Sequence, residues 1–264
     1  MKKLHLIFSI WMVLPLLTIG QPKKIKSFKA DNDVTATAVD RAGDFYLVLR
    51  TGEIQKFDKN GTKIASFKGT PDLTTFDPTN AIRLLAFYQA DKKYTWLSPS
   101  LEDPGFQEID PSWAIDPMLI CPSGDHYLWI LDAADWSLKK INPQSSQTLA
   151  DFIISKPIPH PEIARMREYL NFIFLLDVER GFFIFNAMGK LIHKIEVKGI
   201  SNFNFLGEEL YYQKENTIHF FDLYTAEKRT LQLDPKDYHW VILTDERMFT
   251  VQEENEVEIL EFTP

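Results

Sequence analysis

Four oxygen-bearing side chains, far apart in the chain, are of the types that bind calcium. They are Asp33, Asp72, Glu162 and Asn204, and each stands at or beside the start of a short apolar segment. Calcium takes carboxylate and amide oxygens at about 2.3–2.6 Å, so a fold that brought the four together could hold a cation. Nothing in their local sequence demands a metal, and a calcium-dependent hydrolase or lactonase is therefore kept as an alternative.

Other catalytic patterns are absent from the sequence. The six histidines form no H-x-H or H-E-x-x-H spacing, and no serine lies in a G-x-S-x-G motif. Residues 132–136 (Asp-Ala-Ala-Asp-Trp) lie between two apolar runs, which predicts a polar hairpin turn. The single cysteine, Cys121, lies at the end of an apolar strand, which predicts a buried and inert thiol. We therefore expect no catalytic residue, no metal site and no cofactor.

Aromatic side chains are the second group that could bind a ligand. His239 lies between Tyr238 and Trp240, and Trp113 stands at the start of another apolar segment. Large amphipathic rings supply contact area at low entropic cost, so exposed rings could hold a sugar or a peptide. Packing inside the fold is the alternative interpretation. We take Trp113, Asn204, His239 and Trp240 as the candidate partner- or ligand-binding residues.

A repeat of about forty residues must position these side chains. One recurring unit is a strand that ends in an apolar residue before a polar residue and a turn. Its last apolar residues are 36 to 44 positions apart: Phe57, Leu97, Ile141, Phe185, Phe221 and Leu260. A second unit, a continuous apolar run typical of a strand buried on both faces, precedes each copy, at 45–48, 84–87, 127–130, 172–175, 210–212 and 248–251.

Six copies of this length predict an all-β fold, a six-bladed β-propeller of four-stranded blades. The innermost strands are then expected at 34–40, 73–77, 113–118, 163–167, 203–206 and 239–243. We place the candidate site at the mouth of the central channel where these strands begin. The Pro-rich residues 156–161 connect blades three and four, and residues 162–169 form either a short helical turn or the innermost strand of blade four.

The two ends of the chain are predicted to meet in the last blade. The sixth copy ends so close to Pro264 that its blade lacks an outer strand. Residues 24–30 (Lys-Ile-Lys-Ser-Phe-Lys-Ala) match residues 63–69 (Lys-Ile-Ala-Ser-Phe-Lys-Gly) at five of seven positions, and the second segment is the outer strand of blade one. The N-terminal strand, at about 24–30, is therefore expected to complete the last blade and to close the ring.

The first blade resembles the NHL-type six-bladed propeller repeat. The residues that carry this likeness are 44–48 (Asp-Phe-Tyr-Leu-Val) and 54–64 (Ile-Gln-Lys-Phe-Asp-Lys-Asn-Gly-Thr-Lys-Ile), and residues 185–191 resemble the same turn. The Asp-x-x-Asn-x-Arg stretch of that repeat is replaced here by Arg-Thr-Gly-Glu at 50–53. The chain also resembles exported propeller proteins of Gram-negative envelopes. The likeness implies a fold and leaves the function open.

The N-terminus indicates export. Lys2 and Lys3 precede an apolar stretch from Leu6 to Ile19, and small residues precede a cleavage site that we place after Gly20. Residues 1–20 are thus a predicted signal peptide and 21–264 a single propeller domain. A retained anchor is the alternative, although the apolar run is shorter than the roughly 20 residues of a membrane span.

The expected function is a non-catalytic interaction or scaffold role in the cell envelope, with a protein partner. A carbohydrate-binding propeller is the alternative, beside the calcium-dependent enzyme. The formal net charge is -8 and no basic block is present, which argues against nucleic acid as a partner. We expect an exported, periplasmic or envelope-associated monomer with no stable membrane span in the mature chain.

Overall fold

The chain folds as a six-bladed β-propeller, as the repeat predicts. A computed structural model describes residues 23–80, 82–124 and 126–264, which form 24 strands in six antiparallel four-stranded sheets and one 3₁₀ turn, Glu253–Asn255. The predicted signal peptide lies outside these residues. Within them, no helix has the length and apolar character needed to cross a membrane.

Each of the first five blades runs in chain order from its innermost to its outermost strand. Blade one consists of β2 (Val34–Val39), β3 (Phe45–Leu49), β4 (Glu53–Phe57) and β5 (Lys63–Lys68). Blade two consists of β6 (Thr75–Asp77), β7 (Leu84–Tyr88), β8 (Lys93–Leu97) and β9 (Gln107–Glu108). Blade three consists of β10 (Pro117–Ser123), β11 (Tyr127–Asp132), β12 (Ser137–Asn142) and β13 (Gln147–Ile153).

Blades four and five follow the same order, and blade six takes its outer strand from the N-terminus. Blade four consists of β14 (Ile163–Tyr169), β15 (Phe172–Asp177), β16 (Gly181–Asn186) and β17 (Leu191–Glu196). Blade five consists of β18 (Asn204–Leu206), β19 (Glu209–Lys214), β20 (Thr217–Asp222) and β21 (Lys228–Gln232). Blade six consists of β22 (Tyr238–Leu243), β23 (Arg247–Gln252), β24 (Glu256–Glu261) and the N-terminal strand β1 (Lys24–Lys29).

The innermost strands of blades three and four differ most from the sequence prediction. Residues 163–169 form a strand, β14, so the helical alternative is wrong. The innermost strand of blade three starts at Pro117, not at Trp113, because residues 110–113 close a turn in which the Trp113 N–H donates to the Asp110 carbonyl at 2.8 Å. The Asp132 carboxylate then accepts the next backbone N–H groups, from Ile115 and Asp116, before the strand begins.

The recurring polar residue after the third strand of a blade stabilises the turn to the fourth. In blade one, the Asp58 carboxylate accepts the backbone N–H groups of Asn60 at 2.9 Å and Thr62 at 2.8 Å. Asn186 accepts two backbone N–H groups in the same way in blade four. The N–H groups of the turn thus donate to a short side chain of the same turn, because they have no strand partner there. Asp and Asn recur at this position for that reason.

The turn glycines of blades one and four also have a packing role. Gly61 and Gly189 both have a φ of 78°, a left-handed conformation that glycine adopts without strain. A Cβ on Gly61 would collide with Ile259 of blade six, and one on Gly189 would collide with Phe152 of blade three. The turn of each blade therefore fits closely against the preceding blade.

Six hydrophobic layers among the described residues close the ring. Each layer joins two neighbouring blades, and one of them joins blade six to blade one. In that last layer, the rings of Phe45 and Phe249 stack with their centroids 4.3 Å apart. Burying one such side chain contributes roughly 1.5–3 kcal/mol, so these layers supply the main stabilisation. Cys121 is fully buried in the layer between blades three and four, and burial raises the pKa of its thiol well above the usual value.

The N-terminal strand completes blade six, as its sequence predicts. β1 pairs antiparallel with β24, with Phe28 opposite Val257 and Lys29 opposite Glu256. The Phe28 ring stacks on Phe57 of blade one at 4.9 Å, and the Lys24 ammonium lies 3.0 Å from the carboxylate of Glu258. The strand thus bridges the last blade and the first.

Candidate binding site in the central channel

The turns that follow the innermost strands enclose a cavity of about 560 Å³ at one mouth of the channel. We call it the turn-side cavity. All six blades line it, through residues 39–43, 79–80, 122 and 124, 167–171, 204–207 and 243–247. A cavity of this size is within the range that small ligands or a few side chains of a partner occupy.

Arg167, on β14, projects across this end of the channel. Its Nη1 donates to the Oδ1 of Asn204 in blade five at 2.7 Å, and its Nε lies 3.8 Å from the carboxylate of Asp77 in blade two. The side chain of Arg167 is 17% exposed, while that of Asp77 is 4% exposed. Asp77 also accepts hydrogen bonds from the backbone N–H and the hydroxyl of Thr79, so its carboxylate is shared between two partners.

Aromatic rings form the wall beside Arg167. Tyr169 and Phe205 stack in parallel with their centroids 4.1 Å apart, and the Arg167 guanidinium lies 5.0 Å from the Phe205 ring. The Tyr169 hydroxyl donates to the Gly207 carbonyl at 2.6 Å. Burial raises the pKa of Tyr169, so the phenol remains a donor at neutral pH. Leu170, at the rim, is 41% exposed.

A second cavity, also of about 560 Å³, opens on the opposite side of the ring. We call it the strand-start cavity, because the residues before β18 and β22 line it, together with Tyr212. His239 is exposed there and Trp240 is half-buried. The guanidinium of Arg165 lies 5.8 Å from the Trp240 ring, so one side of this aromatic residue is in contact with a cation.

The structure does not bring the four candidate binding residues together. His239 and Trp240 line the strand-start cavity, whereas Asn204 lines the turn-side cavity because β18 is only three residues long. Trp113 is 7% exposed in the hydrophobic layer between blades two and three. Its indole nitrogen has no hydrogen-bond partner among the described residues.

The oxygen-bearing residues named as calcium ligands also lie apart. Asp33 accepts hydrogen bonds from Arg50 at 2.9 Å and Asn255 at 3.0 Å, at the surface. Asp72 and Glu162 are exposed, and the side-chain oxygen of Asn204 already accepts from Arg167. Within 23–80, 82–124 and 126–264, no three His, Cys, Asp or Glu side chains are grouped closely enough to hold a metal ion.

The residues that sequence reasoning missed are Arg165 and Arg167. A signal for them exists in β14, where arginines at alternate positions flank Met166 in an otherwise central strand. Because alternate residues of a strand point to opposite faces, Met166 packs between blades three and four while the two arginines face the other way.

No protein-family model matches the chain, and no curated protein matches it significantly. Solved structures share its fold. The WD40 domain of Pan2 from Neurospora crassa has a TM-score of 0.62 at 7% sequence identity, over 92% of this chain and 97% of that one. Virginiamycin B lyase from Staphylococcus aureus has a TM-score of 0.55 at 13% identity, over 88% and 81%. A streptogramin B lyase structure has a TM-score of 0.54 at 12% identity, over 90% and 87%.

At these identities the likeness establishes the propeller fold and nothing about activity, because propellers host many unrelated functions. The geometry of this chain's own cavities must therefore carry any functional argument.

Proposed function

We propose that this protein is a non-catalytic interaction propeller that holds a protein partner on its turn-side face. The observation that carries the proposal is the turn-side cavity, to which all six blades contribute and which lies on a face with exposed apolar side chains. A large protein surface patch that is apolar and rimmed by polar groups is typical of a partner-binding surface.

Blades four and five carry three exposed apolar side chains on this face, beside Ile82 and Phe106 of blade two. In an antiparallel blade, the turn between the third and fourth strands lies on the same face as the turn after the innermost strand. Leu170 is on the turn after the innermost strand of blade four. Met188 and Tyr224 are on the turns between the third and fourth strands of blades four and five. Leu170, Met188 and Tyr224 are 41%, 84% and 59% exposed, so their apolar surface is available to a partner.

Charged residues of both signs surround the same mouth. Arg41, Asp245, Glu246 and Arg247 lie in the turns of blades one and six. Charged and apolar side chains therefore lie side by side on this face. In a specific protein interface, polar groups set the orientation of the partner and apolar contacts supply affinity.

The proposal includes the finer expectations of the sequence: an NHL-like repeat, export after cleavage behind Gly20, and a monomeric propeller in the envelope. The turn residues Asp58 and Gly61 in blade one, and Asn186 and Gly189 in blade four, support the NHL-like pattern. N-terminal sequencing of the mature protein from its native compartment tests the cleavage site.

Site-specific photo-crosslinking in the native cell tests the partner. A benzophenone amino acid is placed at Leu170, with Leu149 on the outer strand β13 as a matched control, since the two leucines are 41% and 44% exposed. We expect one discrete adduct from position 170 and none from position 149. The purified partner should then bind the wild type at least about tenfold more tightly than Leu170→Glu or Tyr224→Glu, because a charge is placed in an apolar contact.

Equal adducts at both positions, or no adduct at 170, 188 and 224, would contradict a docking surface at this mouth.

Carbohydrate binding is the second candidate, since His239 and Trp240 line the strand-start cavity. Retention on immobilised peptidoglycan should then fall when Trp240 is replaced by Ala. Unchanged retention of Trp240→Ala, or no retention of the wild type, would contradict carbohydrate binding at this cavity.

A further inference from the structure

We propose that the central channel binds an oxyanion, a carboxylate or phosphate group, between the guanidinium groups of Arg165 and Arg167. Both arginines lie on β14, two positions apart in a regular part of the strand, opposite Leu176 and Phe174. Their side chains therefore leave the same face of the strand, roughly 7 Å apart along it.

The contacts of the two arginines place them inside the channel. Blade four neighbours only blades three and five in the ring, yet Arg165 contacts Trp240 of blade six and Arg167 approaches Asp77 of blade two. Both partners lie on innermost strands, β22 and β6. Side chains that reach innermost strands two blades away must cross the central space.

Arg165 has no negatively charged partner among the described residues. Its Nε donates to the Ser201 carbonyl at 2.7 Å, and the guanidinium packs against Trp240; no carboxylate lies within 4 Å of it in the part of the chain that the structure describes. Burial, followed by repulsion from Arg167, lowers the pKa of Arg165 to about 10. The group therefore remains charged at neutral pH while its charge is uncompensated.

The innermost strands supply little opposing charge. Their described residues carry four charged side chains, namely Asp77, Arg165, Arg167 and Glu168. Glu168 accepts a hydrogen bond from the indole of Trp129 in blade three, on the other face of β14. Among the described residues, Asp77 is thus the one carboxylate within 4 Å of either arginine, and its oxygen lies 3.8 Å from Arg167.

A partly buried cation without a partner is costly, and a bound anion would remove that cost. The planar guanidinium matches the two oxygens of a carboxylate or phosphate, whose hydrogen bonds are shorter and stronger than neutral ones. Both Nη atoms of Arg165 are free of hydrogen bonds to the described residues, so they can donate to a ligand. Arg167 lines the turn-side cavity, and Ser201 and Trp240, the contacts of Arg165, line the strand-start cavity, so open space adjoins the arginine pair from both ends.

Thermal melting and calorimetry of the mature protein test this site with free ions, independently of any protein partner. Acetate and phosphate are titrated separately at constant ionic strength, with chloride as the counter-titrant, at pH 7. We expect at least one of the two anions to raise the Tm saturably and to bind with one site per chain, because a ligand that binds only the folded state stabilises it. The acetate and phosphate arms distinguish a carboxylate ligand from a phosphate ligand.

Three variants make the test specific. Arg165→Gln should bind the anion at least about tenfold more weakly, whereas Arg165→Lys, which retains the charge, should lose less affinity. Arg50→Gln is the matched control, because Arg50 is 70% exposed and already paired with Asp33 at 2.9 Å. Arg165→Gln should fold normally, since it removes an uncompensated charge.

An anion effect of the same size in Arg165→Gln as in the wild type, or no saturable binding of either anion, would overturn the proposal. Tyr224→Glu, which lies outside the cavity lining, should leave anion binding unchanged, so a failure here and a failure of the docking surface are distinguishable.

Discussion

The outer strands of blades one and six have nearly the same sequence but different connections to their blades. β5 follows β4 through a five-residue turn, at 58–62, whereas β1 lies at the other end of the chain from its partner β24. Both strands nevertheless have the same role, with a phenylalanine half-buried against the blade: Phe67 in β5 and Phe28 in β1. Side-chain pattern and an available strand edge therefore determine pairing here, and covalent proximity does not.

The largest effect should come from deleting residues 23–30. Blade six would keep three strands and an exposed edge, and the pairing of β1 with β24 would be lost. Each backbone hydrogen bond contributes about 0.5–1.5 kcal/mol net, so we expect the free energy of unfolding to fall by roughly 3–5 kcal/mol. Denaturant unfolding of the deleted and intact mature proteins measures this.

A rescue variant sharpens the same experiment. The Lys23 carbonyl accepts the Glu261 N–H at 2.8 Å, so the C-terminus ends beside the start of β1. Residues 23–30 placed after Pro264 through a short glycine linker would convert blade six into a contiguous blade like blade one. The free energy of unfolding should be largely restored. If the relocated segment does not restore it, or if the deletion does not lower it in the first place, β1 does not close the ring.

The matched substitutions Phe28→Ala and Phe67→Ala should have an intermediate effect. Both rings are half-buried, so each loss should cost about 1–2 kcal/mol of unfolding free energy. Amide hydrogen exchange should separate them: Phe28→Ala should accelerate exchange in β1 and β24, because β1 is attached to blade six only by non-covalent contacts. Phe67→Ala should accelerate exchange in β4 and β5 only. Faster exchange in blade six for both variants would show that the outer strands of blades one and six do not respond independently.

The smallest effect should be the pH dependence of Glu258→Gln. Burial alone would raise the pKa of Glu258, but hydrogen bonds from Lys236 and Lys24 outweigh it and leave the pKa lowered. A lowered carboxyl pKa stabilises the folded state above the ordinary pKa, and this contribution is lost as the pH falls through the folded-state value. We expect Glu258→Gln to be less stable than the wild type by about 1 kcal/mol at pH 7, and we expect this difference to shrink as the pH falls toward 3.

Glu53→Gln is the control for that comparison, because Glu53 contacts Lys63 at 3.3 Å in the equivalent strand pair of blade one but is more exposed. Denaturant unfolding at both pH values should show a smaller difference for Glu53→Gln. A difference for Glu258→Gln that is undiminished at pH 3 would mean that the ion pairs are not its cause.

The fold was predictable from the sequence because its determinants are local and repeated. The apolar run of the second strand, the Asp or Asn after the third strand, and the turn glycine each follow from interactions within a few residues or within one sheet. Strand boundaries were less predictable where a loop is held by a distant group, as Asp132 holds residues 115 and 116 ahead of β10.

The sequence by itself therefore determined the number of blades, the order of strands within each blade and the closure by residues 24–30. Only the tertiary structure decided which polar residues meet in the channel. It moved Trp113 into a hydrophobic layer and separated Asn204 from His239 and Trp240. It also placed Arg165 against blade six and Arg167 near blade two. The physical reason is that side chains in the channel meet across a closed ring. Their contacts therefore depend on how the six blades pack around the axis, and the repeat in the sequence does not predict them.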